Sequence, residues 1–132
     1  MKKYSMARKS GPRNGEEAAS GDYVPEAGDL IRVDFSPTRG TEKSGFRRGL
    51  VISPRSYNAR VGRCHVCPVT SQAKGYPFEI PLPAGLSVTG VVVPDQGKPL
   101  DFRVCRLVFV EAAPLEVLVD AREMIRAFLD IA

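Results

Sequence analysis

The sequence has no tryptophan, a single histidine (His65) and three cysteines (Cys64, Cys67 and Cys105) in 132 residues. One histidine excludes catalysis by a histidine pair within a subunit and leaves His65 as a strand-surface or packing residue. An odd, sparse set of cysteines does not make a disulfide framework. These three read as reduced, small apolar fillers. Cys64 and Cys67 do form a C-x-x-C, but structural zinc takes four ligands in paired clusters, and the second cluster is missing. Residues an odd number apart on a strand also point to opposite faces. No metal site and no cofactor is therefore expected. No glycine-rich phosphate loop opens a helix, and no G-x-S-x-G elbow is present. No apolar run reaches the ~20 residues needed to span a bilayer. The first 22 residues are polar and lack the apolar centre of a secretory signal. The expected location is the cytoplasm, with no membrane partner.

What is present begins with charge. The net charge is +4. Half of it lies in residues 1–22, where Lys2, Lys3, Arg8, Lys9 and Arg13 face Glu16, Glu17 and Asp22. This Gly-, Ser- and Pro-containing segment reads as a disordered arm, and residues 23–132 as one folded domain. The domain is nearly balanced, so bulk charge does not point to a polyanion. Its distribution says more: Arg39, Lys43, Arg47, Arg48, Arg55, Arg60 and Arg63 are answered only by Glu42. Such a cluster is either a solvated surface or an anion-binding face.

From Leu30 to Phe35 the pattern alternates, with Ile31, Val33 and Phe35 on one face and Arg32 and Asp34 on the other, as in a half-buried strand. Residues 36–45 form a polar loop punctuated by Pro37, Gly40 and Gly45. Further strands are expected at Gly49–Ser53, Arg63–Ser71, Phe78–Leu82, Val88–Val93 and Val104–Val110. Pro68 is expected to mark a bulge or an edge. Strands this short, set apart by Gly/Pro turns, predict a small β-barrel. A carboxy-terminal helix follows, with Pro114 suited to its first position. Leu115, Leu118, Val119, Ile125 and Leu129 form its expected packing stripe.

Two loops carry the groups that handle a phosphodiester. Residues 41–48 supply Glu42, Lys43, Arg47 and Arg48, and residues 69–78 supply Thr70, Ser71, Gln72, Lys74, Tyr76 and Phe78. Arginine grips phosphate through paired hydrogen bonds. Hydroxyls donate to non-bridging oxygens, and aromatic rings stack on unpaired bases. Phe78 is expected in the core, with Tyr76 the stacking candidate. Asn58 reads as a turn residue.

Several motifs, in order along the chain, resemble the MazF/PemK-type toxins. They are Tyr23-Val24-Pro25, Gly28-Asp29-Leu30-Ile31, Val33-Asp34-Phe35, Pro37-Thr38-x-Gly40-x-Glu42, Gly45-x-Arg47 and Leu50-Val51-Ile52-Ser53-Pro54. Thr70-x-Gln72-x-Lys74-Gly75-Tyr76-Pro77-Phe78-Glu79, Gly90-Val91-Val92 and Asp95-Gln96 complete the set. The resemblance implies a mainly β fold: a small SH3-like β-barrel (CcdB/PemK-like) with a carboxy-terminal helix, working as a homodimer. It implies a metal-independent endoribonuclease that cuts single-stranded RNA and is held in check by a MazE-like antitoxin. By the same resemblance, Arg47 and Thr70 are the catalytic pair, and Glu42 either orients Arg47 or receives the 2′-OH proton. Gln96 falls near the RNA. Lys43, Arg48, Ser71, Gln72, Lys74 and Tyr76 are expected to bind it.

Two positions depart from the family pattern. Arg48 stands where the family has the proline that follows the catalytic arginine, and Gly97 where an aliphatic residue is usual. The Arg47-Arg48 pair leaves open which arginine is catalytic. Two competing readings are a gyrase-binding toxin of the CcdB type and a catalytically inactive regulatory relative. The first is associated with a terminal Trp-Gly-Ile, whereas this chain ends Leu129-Asp130-Ile131-Ala132.

Overall fold

The computed structural model describes residues 23–34 and 47–131. The expected arm at 1–22, the whole loop at 36–45 and the core position of Phe35 lie outside the described residues. Among the described residues, seven strands form one antiparallel sheet: β1 (Asp29–Asp34), β2 (Arg48–Val51), β3 (Arg63–Thr70), β4 (Ile80–Pro81), β5 (Val91–Val92), β6 (Lys98–Asp101) and β7 (Arg106–Ala112). A short helix α1 (Arg55–Val61) joins β2 to β3, and helix α2 (Leu115–Leu129) closes the chain. The strand order is β4-β5-β3-β2-β1-β7, with β6 also paired to β3.

A simple length argument shows that this sheet curls into a barrel. Between β6 and β7 lie β3, β2 and β1, which in a flat sheet would hold them ~19 Å apart at ~4.8 Å per strand. The connection between them is nevertheless a tight turn, in which the Val104 and Cys105 amides both donate to the Asp101 carbonyl, at 3.0 and 2.9 Å. A turn of that kind spans less than ~7 Å. The sheet must therefore bend until its β6 and β7 margins meet. The expected barrel with a terminal helix is observed.

Alternation along the strands fills two cores. Ile31, Val33, Val51, Cys64, Val66, Leu100, Leu107 and Phe109 pack with Tyr23 on one face. Leu30, Leu50, Cys67, Val69 and Val92 pack on the other, under Val117 and Ala121 of α2. The helix stripe is rotated from the expected one. Leu118 is buried and Ile125 half-buried, but Leu115, Val119 and Leu129 are exposed. The packing face is Val117, Leu118, Ala121, Met124 and Ile125. Large aliphatics suggested the wrong side because the packing face includes a small residue, Ala121, which is fully buried. Pro114 sits at the N-cap rather than in the first turn.

Other expectations need correction as well. Pro68 marks neither a bulge nor an edge, since it pairs with Gly49 inside the sheet. Its carbonyl accepts from Val93 N at 2.9 Å, so its missing N–H faces the gap between β5 and β6, where no ladder bond is required. The strands expected at 78–82 and 88–93 shrink to two residues each. At the start of the first span the Glu79 amide closes a turn on the Tyr76 carbonyl at 3.1 Å, and at the start of the second the Val88 amide donates to the Glu111 carboxylate at 2.9 Å. The last strand starts at Arg106 because the turn described above consumes the amides of Val104 and Cys105. Helix α1 and strand β6 were not expected.

Asn58 is a fully buried cross-link within α1, not a turn residue. Its amide nitrogen donates to the carbonyls of Pro25 and Ser53, both at 2.9 Å, and its oxygen accepts from Ser53 Oγ at 2.7 Å. Asn58→Ala strands those buried carbonyls and should cost about 2–4 kcal/mol in urea unfolding. A loss under about 0.5 kcal/mol would show that the strap over α1 carries no stability.

Candidate functional site

The register of the first three strands arranges the site. Arg48 pairs with Val69 across β2 and β3, so Arg47 stands opposite Thr70 one step on. Arg47 also stands opposite Val33, whose amide donates to the Arg47 carbonyl at 2.7 Å. Directly opposed residues lie about 4.5–5.5 Å apart at Cα with side chains on the same face. Arg47 and Thr70 are therefore neighbours on the face of Val33. Arg48 alternates to the other face, opposite Arg32. The two adjacent arginines are thus separated: Arg47 shares a row with Thr70, and Arg48 does not.

Thr70 is half-buried at the end of β3 and held from two sides. Its hydroxyl accepts from Gln72 N at 3.1 Å, which starts the exposed loop carrying Ser71, Gln72 and Lys74. Behind it, Gly90 has φ +120, and a Cβ there would meet the Thr70 carbonyl oxygen at 2.2 Å. Only glycine permits that approach.

The same loop is braced at its far end. The Glu79 carboxylate takes the Lys74 and Gly75 amides at 2.8 and 3.0 Å. The Tyr76 ring meets Phe78 edge-on at 5.9 Å, and Phe78 meets Phe128 of α2 at 6.0 Å. Phe78 is only half-buried and bridges loop to helix rather than joining either core. The Tyr76 hydroxyl donates to Asp95 at 2.5 Å, which raises the phenol's pKa and ties the loop to the 3-10 turn Pro94–Gln96. Gln96 is exposed on that turn. The expected residues Arg47, Thr70, Ser71, Gln72, Lys74, Tyr76 and Gln96 thus occupy linked segments. Glu42 and Lys43 lie outside the described residues.

An open groove of about 460 Å³ runs past Arg47 and is lined by Arg32, Val33, Asp34, Arg47 and Arg48. Arg32 and Asp34 escaped the sequence reading of the site, although their alternation with Ile31 and Val33 marked them as outward-facing. Asp34 accepts from Arg32 Nε at 3.0 Å and from Arg106 Nη1 at 3.0 Å. The Arg32 bond, first among its causes, holds the Asp34 carboxyl below the ordinary range.

The C-x-x-C residues part company, as odd spacing requires: Cys64 lies in one core and Cys67 in the other. Among the described residues, no group of three or more His, Cys, Asp or Glu side chains is placed to hold a metal ion. His65 is half-buried beside Gly97, where an added Cβ would meet its Nε2 at 3.1 Å and Cys67 Sγ at 3.3 Å. Glycine at 97 thus makes room for the imidazole.

Fold and groove together define a small barrel protein with a cationic groove at one end, suited to a phosphate-bearing polymer. A model of the PemK-like, MazF-like toxin of type II toxin–antitoxin systems matches residues 26–129. The chain is 49% identical to the endoribonuclease toxin MazF of Escherichia coli K12 over 81 residues, covering 61% of this chain and 72% of that one. It is 34% identical to the endoribonuclease PemK of Escherichia coli over 82 residues, 59% of this chain and 62% of that one. Among solved structures, the MazE–MazF complex of Deinococcus radiodurans superposes with a TM-score of 0.76 at 46% identity, covering 84% of this chain and 100% of that one. The MazF structure from the same organism gives 0.74 at 46% identity, covering 83% and 100%. The chain belongs to the PemK-like, MazF-like toxin family. The gyrase-binding alternative is not favoured, because these relatives are endoribonucleases.

Burial pushes the thiols of both Cys64 and Cys67 up to about 12. A raised thiol pKa removes the nucleophilic thiolate at neutral pH. Iodoacetamide at pH 8 should leave both cysteines unmodified in the native protein and label them after denaturation, as read by peptide mass spectrometry. Rapid native labelling of either would contradict this burial.

Proposed function

We propose that this endoribonuclease toxin cuts single-stranded RNA, without a metal, by attack of a ribose 2′-OH on the adjacent phosphorus. The new O2′–P bond forms as the P–O5′ bond breaks, leaving a 2′,3′-cyclic phosphate and a 5′-OH end. One observation supports the reading: the β2–β3 pairing, continued one step beyond Arg48–Val69, puts the backbone of Arg47 opposite that of Thr70.

In this mechanism Arg47 stabilises the charge that builds on the phosphate oxygens, commonly the largest catalytic contribution. Its planar, cationic guanidinium grips the phosphate oxygens, so its work is electrostatic rather than proton transfer. Thr70 hydrogen-bonds the same phosphate. Glu42 orients Arg47 or accepts the 2′-OH proton. Ser71, Gln72, Lys74, Tyr76 and Gln96 contact the flanking nucleotides, with Tyr76 stacking on an unpaired base. Lys43 and Arg48 add charge. The cut sites follow a sequence preference of this protein's own.

The partners follow from the same surface. A groove built for a polyanion is blocked by an acidic, flexible peptide that folds onto it. A MazE-like antitoxin has that character. The functional unit is a homodimer, and the apolar residues that α2 leaves exposed, Leu115, Val119, Leu129 and the following Ile131, offer surface to a second subunit. The site of action is the cytoplasm; among the described residues no helix is long and apolar enough to cross a membrane.

Incubation of the purified protein with a long RNA in EDTA should give fragments with 5′-OH ends. Arg47→Ala and Thr70→Val should each lower kcat by about 10²–10³-fold, the usual effect of removing one oxyanion donor. If Arg48→Ala alone abolishes cleavage, the assignment of Arg47 is wrong.

A further inference from the structure

Beside the Arg47–Thr70 row, the groove holds a second cationic pair. Arg32 and Arg48 are direct cross-strand partners on β1 and β2, on the face away from Arg47 and Thr70. Like charges set directly opposite each other in a sheet destabilise it. Both side chains are exposed at the rim of the groove, where packing does not demand them. The carboxylate that lines the groove with them, Asp34, is already shared between Arg32 and Arg106. Three arginines and one carboxylate thus line the described part of the groove, an excess of two positive charges.

Asp34 adds geometry to that charge. It holds the Nε and Nη2 edge of Arg32 at 3.0 and 3.4 Å, so the guanidinium is oriented rather than free to sweep. A planar guanidinium fixed in this way is suited to paired hydrogen bonds with a phosphate.

The geometry points to a phosphate-binding subsite formed by Arg32 and Arg48, which takes an RNA phosphodiester flanking the scissile one. The inference rests on the reading of Arg47 and Thr70 as the cleavage row. RNA is favoured over an acidic peptide because the groove is continuous with Arg47. Arg47 lines the same groove as Arg32 and Arg48, so a strand whose phosphate reaches Arg47 can run on to the rim where they stand.

Salt dependence tests it, because each neutralised phosphate of a single strand adds about −0.7 to the slope of log affinity against log salt. A single-stranded RNA with one cut site would be cleaved by the wild-type protein, by the Arg32→Gln/Arg48→Gln double variant and by Arg48→Lys. Binding of the all-deoxy oligonucleotide, which lacks the attacking hydroxyl, would be measured in parallel over the same salt range. The double variant should show a slope shallower by about 0.7 in both assays, with KM rising by a larger factor than kcat falls. Arg48→Lys should keep most of the wild-type slope. The double variant loses both the Arg32–Arg48 repulsion and the exposed Arg32–Asp34 ion pair, so its thermal midpoint should stay close to the wild-type value.

An unchanged slope in the double variant would overturn the subsite, as would an unchanged RNA slope with weakened binding of an acidic antitoxin peptide. Intact RNA with the wild-type protein would instead refute the cleavage reading, while the deoxy-oligonucleotide slope would still report on the subsite.

Discussion

The hydrogen-bonded register between β2 and β3 is the constraint on which the rest of the site depends. It pairs Gly49 with Pro68 and Arg48 with Val69, which sets Arg47 opposite Thr70. A slip of one residue would move every side chain of β2 against the wrong partner. The slip is opposed from both faces. Leu50 and Cys67 share one core, and Val51 and Val66 share the other. With apolar groups packed on both sides, the register cannot be traded without exposing a core residue or burying Arg48. The geometry at the solvent-facing end of the sheet is thus set by packing in its dry interior.

The groove end then collects segments far apart in sequence. Thr70 arrives on β3, Arg47 just before β2, and Asp95 and Gln96 on a 3-10 turn. Each junction has a specific cause. Gly90 lets one backbone press on the Thr70 carbonyl. The Tyr76–Asp95 hydrogen bond joins the loop to the turn. The Phe78–Phe128 contact ties the loop to α2. Away from the groove, the Arg122 guanidinium anchors α2 to the sheet by donating to the Ile52 carbonyl at 3.2 and 2.7 Å. The barrel supplies rigidity, and the rim supplies charge that remains exposed and oriented.

Much of this was legible along the chain, and the misses share a physical origin. The alternation from Leu30 to Asp34 marked β1 correctly, because a strand between two cores still shows its outward Arg32 and Asp34. The odd spacing of Cys64 and Cys67 placed them on opposite faces of β3. What escaped were features decided by groups distant in sequence. Helix α1 has no apolar stripe of its own and depends on Asn58 reaching Pro25. Strand β6 carries a proline and exists because it can pair with β3. The short strands β4 and β5 are bounded by the Tyr76–Glu79 turn and by the Glu111 carboxylate, which takes the Val88 amide. The packing face of α2 includes the small, fully buried Ala121, which a stripe of large aliphatics does not reveal.

The sequence by itself determined the barrel class, the family and the kit of phosphate-handling residues, because alternation, turn residues and ordered motifs are local properties. Only the tertiary structure decided which arginine accompanies Thr70, where Asn58 and Phe78 reside, and that Arg32 and Asp34 belong to the groove. Those outcomes depend on strand register and on the curl that brings β6 to β7. Both arise from packing and hydrogen bonding between residues the chain keeps far apart.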